Sequence, residues 1–141
     1  QAPEAHGMSR ALVLDTNVLV SAALKPESDL ARIVEKVLLR QAPLYVCPSI
    51  VAEYREVLNR PKFRPKGLPP AWLPRLLQVA FHEPEPAPWP LEGLDPDDLV
   101  FLGLAKATGA VLVTGNLGHF PEAIREGVVV YTPGEYLKIS A

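Results

Sequence analysis

The sequence predicts an α/β fold of three layers, with a central, mostly parallel sheet of four to five strands between helices. Three observations carry this. The apolar runs at 11–14, 43–48, 110–116 and 127–133 are short and continuous, as in strands buried on both faces. Segments of helical periodicity separate most of them. The order strand–helix–helix–strand–helix, then helix–strand–strand, implies parallel pairing through crossovers.

Each element has a local reason. ALVL, 11–14, is the first strand, and residues 17–24 and 29–40 read as helices. In the second of these, Leu30, Ile33, Val34, Val37 and Leu38 recur on one face, with Arg32, Glu35 and Lys36 on the other. PLYVCP, 43–48, is a strand punctuated by prolines. A helix over 49–60 starts at Ser49 as cap and aligns Ile50, Tyr54, Val57 and Leu58. Two proline-rich stretches, 60–70 and 83–96, cannot be central strands or helix interiors and read as stiff loops, with a modest helix over Ala71–Ala80 between them. The segment 95–109 is a helix capped by Asp95, with Pro96 in its first turn and Gly109 after its last. Strands at 110–116 and 127–133 complete the sheet.

Composition limits the class. The 141 residues suit one domain, placed at 8–141, with residues 1–7 read as a remnant ahead of a natural start at Met8. A hydrophobic content of 48% excludes a disordered chain. No apolar run approaches the roughly 20 residues of a membrane span, and QAPEAHG lacks the apolar core of a signal peptide. Cys47, the single cysteine, allows no internal disulfide and no cysteine-based zinc cluster. A cytoplasmic protein is the expectation. The net charge of −2 gives no global positive field for nucleic acid, but leaves room for a local basic strip and for an acidic site loaded with metal.

The chemistry starts at Asp15, Thr16 and Asn17, which interrupt the apolar ALVL/VLVSAAL pattern. Sites in open parallel sheets form outside the carboxyl ends of the strands. Asp15 follows the first strand at that edge, and Thr114 and Asn116 end the third. Asp97 and Asp98 open the helix leading into the third strand, and Glu53 lies in the first turns of the helix after the second. Topology therefore gathers Asp15, Glu53, Asp98 and Asn116 at one edge. Clustered carboxylates stay ionised together only beside a cation, and an all-oxygen set favours Mg²⁺ or Mn²⁺ over zinc. Water activated there suits attack on a phosphodiester.

Every one of these residues also has a plain structural use. Asp15, Asp95, Asp97 and Asp98 suit helix starts. Glu53 suits a solvated helix face, Asn116 a turn, and His119 a loop. Arg60, Lys62, Arg64 and Lys66 around Phe63 suit contact with a single strand, or simply a solvated loop with Arg60 at a helix C-terminus. Trp72, Leu73, Leu76 and Leu77 are either core or an exposed docking patch. The functional reading rests on convergence.

The segments LVLDTNVLVSA, SIVAEYREVLNRPKF, DPDDLVFLGLAKATGAVLVTGN and GHFP together resemble a PIN domain, over Arg10 to Leu137. The wording EVLNRPKF and TGNLGHFP is most similar to PIN proteins described as toxins of bacterial toxin–antitoxin pairs. The resemblance implies a Mg²⁺- or Mn²⁺-dependent ribonuclease with an RNA substrate, an antitoxin partner and a homodimer. By position it implies Asp15, Glu53 and Asp98 as metal-holding acids, with Asp97 as the near competitor of Asp98. The fourth polar position falls on Asn116, where many relatives carry aspartate, and a further acidic position falls on His119. Both departures favour hydrolysis with one metal over two. In this reading Thr114 and Asn116 orient the attacking water, Asn17 braces the Asp15 turn, His119 reaches phosphate, and Arg60 and Lys62 hold substrate. The rivals are a PIN-like module that binds nucleic acid without cutting it, a phosphatase of small molecules, and a purely structural module.

Overall fold

Leu12, Val13 and Leu14 are wholly buried, and they form strand β1 (Leu12–Leu14) as their unbroken apolar character requires. In this computed structural model, which describes residues 9–92 and 95–140, β1 is the middle of the molecule. The expectation for residues 1–7 and Met8 lies outside the described residues. Helices α1 (Thr16–Leu24) and α2 (Asp29–Leu38) lead to β2 (Tyr45–Val46). Helices α3 (Pro48–Leu58) and α4 (Leu73–Val79) lead on to β3 (Phe81–His82). Then come α5 (Leu99–Thr108), β4 (Val111–Val113), β5 (Val130–Tyr131) and α6 (Pro133–Ile139).

All strand pairs are parallel. β1 pairs with β4 and β4 with β5, while β2 pairs with β3. A single parallel bridge, Leu12 to Leu44, joins the two pieces. The strand order is therefore β3-β2-β1-β4-β5. The chain builds outward from β1 to β3, then returns to lay β4 on the other side of β1. That reversal puts the switch point, where open α/β sheets bind ligands, at the carboxyl ends of β1 and β4. α5 packs on β1, β2 and β4, and α2 packs against α1, α4 and α6.

The strands are shorter than the apolar runs that announce them. Of 43–48, only Tyr45–Val46 forms a strand, with Leu44 in the single bridge to Leu12, because Pro43 and Pro48 cannot donate to a ladder and Pro48 opens α3 instead. Ser49 is not the cap of α3. Cys47 takes that position without a side-chain bond, and the Ser49 N–H and Oγ both donate to the carboxylate of Glu85, at 2.6 and 2.9 Å. Within 95–109 the start is a 3₁₀ turn, Pro96–Asp98, capped as expected by Asp95 Oδ1 at 2.9 Å from the Asp97 N–H. Gly109 closes α5 in the left-handed region, with φ of 74°.

Two elements escaped the sequence reading. β3 is two exposed residues and has no apolar run to show. α6 carries a capping box between Thr132 and Glu135, with Pro133 in its first turn. The first proline-rich stretch contains a 3₁₀ turn, Pro61–Lys66. Leu73, Leu76 and Leu77 are buried and Trp72 packs against them, so this segment is core rather than an exposed patch.

One buried bond fixes α3 against the end of β1. Tyr54, fully buried, donates its hydroxyl to the Leu14 carbonyl at 2.5 Å. Tyr54→Phe leaves that carbonyl buried without this donor. It is expected to lower stability by about 1–3 kcal/mol in chemical denaturation. An unchanged midpoint would mean that the bond holds nothing.

Candidate functional site

In the ladder Leu14 faces Val113, so the next residues, Asp15 and Thr114, leave the sheet side by side. The Asp15 N–H donates to the Val113 carbonyl at 3.0 Å, and Thr114 Oγ1 donates to Asp15 Oδ2 at 2.8 Å. Asp15 is 3% exposed and Thr114 0%. Asp15 occupies the cap position of α1, and its carboxylate turns to Thr114. Burial pushes its pKa up. The Thr114 hydroxyl, the backbone N–H groups of Asn17 and Thr16, and the nearby His119 oppose that shift.

Glu53, half-buried on α3, is reached by Thr16 at the start of α1, whose hydroxyl donates to Glu53 Oε2. Burial raises the Glu53 pKa and the Thr16 bond lowers it. Asp15, Asp97 and Asp95 raise it further by repulsion. Thr16 was given no role in the sequence reading; its hydroxyl holds Glu53, while the hydroxyl of Thr114 holds Asp15. Asn17 contributes through its backbone, and its side chain is exposed.

Asp98 is the least exposed member of the aspartate run. Its side chain is 13% exposed, whereas Asp97 lies exposed beside it. Its pKa is pushed up to about 6, first by burial and then by Asp15, with His119 pulling the other way and Asp95 and Glu53 adding to the rise. His119 Nδ1 lies 3.3 Å from Asp98 Oδ2, close enough for an ion pair. The two atoms are misaligned for a hydrogen bond, so each is buried without a partner. Asp97 lines a neighbouring cleft of about 400 Å³ with Glu53, Glu56 and Glu85.

The remaining candidates lie further out. Asn116 is exposed, and its Oδ1 accepts the Gly118 N–H at 3.0 Å, as a turn residue does. Its N–H donates to Thr114 Oγ1 at 3.0 Å, which links the turn to the Asp15 pair. Arg60 is committed to Glu56, with Nε and Nη2 each 2.9 Å from a carboxylate oxygen. Lys62 sits over the Phe63 ring, its Nζ 5.1 Å from the centroid.

Asp15, Glu53 and Asp98 thus lie within electrostatic range of one another, each pKa raised. Among the described residues no three carboxylate, imidazole or thiolate groups are set to hold a metal ion between them. The donor set still fits a hydrated Mg²⁺ or Mn²⁺, which keeps most of its waters and takes one or two carboxylates directly. The orphaned Asp98 Oδ2 is the atom most in need of such a partner.

A carboxyl whose folded pKa is raised binds more protons folded than unfolded, so stability falls as pH rises through the gap. For Asp98 that window runs from 3.8 to about 6. In chelator, the thermal midpoint should fall between pH 4 and pH 6.5, and Asp98→Asn should flatten the decline. Added Mn²⁺ should raise the midpoint more at pH 7 than at pH 5. A midpoint that rises over this range in chelator would contradict the electrostatics described here.

Among the described residues no helix is long and apolar enough to cross a membrane. A family model described as PIN domain matches residues 11–118. No curated protein sequence matches the chain. Solved structures do. The crystal structure of VapBC2 from Rickettsia felis, bound to a DNA fragment from their promoter, aligns over 86% of this chain and 98% of that one, at 18% identity and a TM-score of 0.62. PAE2754 from Pyrobaculum aerophilum aligns over 95% and 90%, at 16% identity and a TM-score of 0.59. FitAcB from Neisseria gonorrhoeae aligns over 87% and 98%, at 20% identity and a TM-score of 0.53. At these identities the likeness is one of fold. With an acid-lined switch point between β1 and β4 and a family match across most of its length, the chain belongs to the PIN-domain family.

Proposed function

We propose that this protein is a metal-dependent endoribonuclease that hydrolyses RNA phosphodiesters and acts as the toxin of a toxin–antitoxin pair. One observation carries the reading. Asp15, Glu53 and Asp98 come from three distant parts of the chain, and the pKa of Asp98 is raised by both of the others. A stable fold has no use for such mutual repulsion at a buried edge unless a cation offsets it. PIN domains are generally nucleases, which supports the same conclusion. A partner antitoxin belongs to this reading, supported by the likeness to VapBC2 and FitAcB, and a second copy of the chain belongs to it by the family resemblance of the sequence alone.

In this mechanism Asp15, Glu53 and Asp98 would hold the ion, directly or through waters. Thr114 fixes the rotamer of Asp15, and Thr16 that of Glu53. A divalent ion bound there supplies positive charge that polarises the phosphodiester and acidifies a water. His119, partly exposed at the rim and beside Asp98, is in position to meet a phosphate oxygen or to reach a bound water. Asn116 keeps its amide N–H₂ for the same rim, its carbonyl being spent on Gly118.

A second reading, a module that binds nucleic acid without cutting it, draws on that commitment of Asn116 to a turn. Cleavage separates the two. With labelled single-stranded RNA and Mn²⁺, the parent protein should cut. Asp15→Asn should fall to the level seen in chelator while remaining folded. Thr114→Val should lose about 10- to 100-fold, as the loss of a residue that orients a metal ligand does. An Asp15→Asn protein that cuts as fast as the parent would overturn the assignment.

A further inference from the structure

Charge on this chain is unevenly placed. Residues 55–75 hold six of the 14 Lys and Arg residues, namely Arg55, Arg60, Lys62, Arg64, Lys66 and Arg75, against one acid, Glu56. The rest of the chain holds eight basic residues against 15 acids. Lys62, Arg64 and Lys66 are all exposed on the 3₁₀ turn Pro61–Lys66, whose prolines stiffen it. The cation–π contact with Phe63 holds Lys62 outward on a partly buried ring.

This corner communicates with the acid site along one helix. Glu53 and Glu56 are three residues apart on α3 and line the same cleft. Arg60 lies two residues past the end of α3, with extended backbone, and its side chain turns back onto the helix at Glu56. Glu56 stands between Glu53 and Arg60 and holds Arg60 through two bonds. That pair is exposed, at 44% for Arg60 and 62% for Glu56, and an exposed ion pair gives way easily to a better anion. Phosphate is such an anion, because a guanidinium grips it through the same two-pronged geometry.

We propose that the turn Pro61–Lys66 and Arg60 dock the phosphate backbone of single-stranded RNA, which then follows the exposed face of α3 to the acid pocket. Glu56 competes with RNA for Arg60 and is displaced on binding. The proposal rests on the nuclease reading for its direction of travel, since the strand is led to Asp15, Glu53 and Asp98. The surface recognises backbone charge rather than base sequence.

Binding of a labelled 12-nucleotide single-stranded RNA, followed by fluorescence anisotropy in chelator, tests the surface apart from cleavage. Lys62→Ala/Arg64→Ala/Lys66→Ala should bind at least about 10-fold more weakly than the parent. Its slope of log affinity on log salt should be shallower by about 2, for three lost phosphate contacts. Lys62→Arg/Lys66→Arg should bind as the parent does. The control Lys25→Ala/Arg32→Ala/Lys138→Ala, of equal charge change, should stay within about twofold. Glu56→Gln should bind several-fold more tightly. A parent that does not bind RNA, or a turn variant equal to the control, overturns the docking surface; the latter is also the result expected if the corner serves an acidic protein segment. Unchanged or weaker binding by Glu56→Gln overturns its role as competitor. Binding lost in the turn variant, with no cleavage by the parent in Mn²⁺, retains the surface and removes the nuclease. Cleavage by the parent with binding insensitive to the turn does the reverse.

Discussion

The structure turns on a carboxylate that cannot leave. Asp15 is set by the parallel register of β1 and β4, one residue past the last ladder pair, and Thr114 donates to it from the facing strand. Burial works against its charge and the hydroxyl works for it. Both residues are almost wholly enclosed, so neither can turn to solvent to relieve the conflict. Glu53 and Asp98 are then brought within electrostatic range by α3 and by the start of α5. The charge of the site is therefore a consequence of topology: the chain reverses its strand order here, and the reversal brings these three side chains within electrostatic range of one another.

The second proline-rich stretch helps to hold that arrangement. The Glu83 N–H continues the β2 ladder at the Val46 carbonyl, 2.8 Å away. Glu85 caps the first turn of α3 through Ser49, one turn before Glu53. Pro86 lies against Gly103 of α5 so closely that a Cβ on the glycine would stand 3.1 Å from the proline ring. Trp89 donates its indole N–H to the Ile124 carbonyl at 2.8 Å, beyond the turn that carries His119. A single stiff segment thus touches α3, α5 and the connection after β4, the supports of Glu53, Asp98 and His119.

Much of this was legible in the residues. Continuous apolar runs marked the buried strands, and Asp95, Pro96 and Gly109 bounded the helix before β4. The placement of Asp15, Glu53 and Asp98 at one edge followed from alternating strands and helices. Of the two neighbouring aspartates, Asp98 is partly buried and Asp97 exposed. What could not be read depends on contacts across the chain. Ser49 looked like a cap because local sequence cannot show Glu85 arriving from 36 positions away. Thr16 went unassigned for the same reason, its partner Glu53 being 37 positions distant. β3 has no local signal at all, being two residues paired on one side only. The α6 capping box, Thr132 with Glu135, was legible and was passed over.

Charge balance at this edge is the central claim, and the uptake of a divalent ion tests it without reference to any substrate. Calorimetric titration of Mn²⁺ into the protein at pH 7 should give saturable binding. Asp15→Asn and Asp98→Asn should each weaken it by about 10-fold or more, and Asp97→Asn should leave it nearly unchanged. A parent protein that takes up no Mn²⁺, or an Asp98→Asn protein that binds it as well as the parent, would contradict the account.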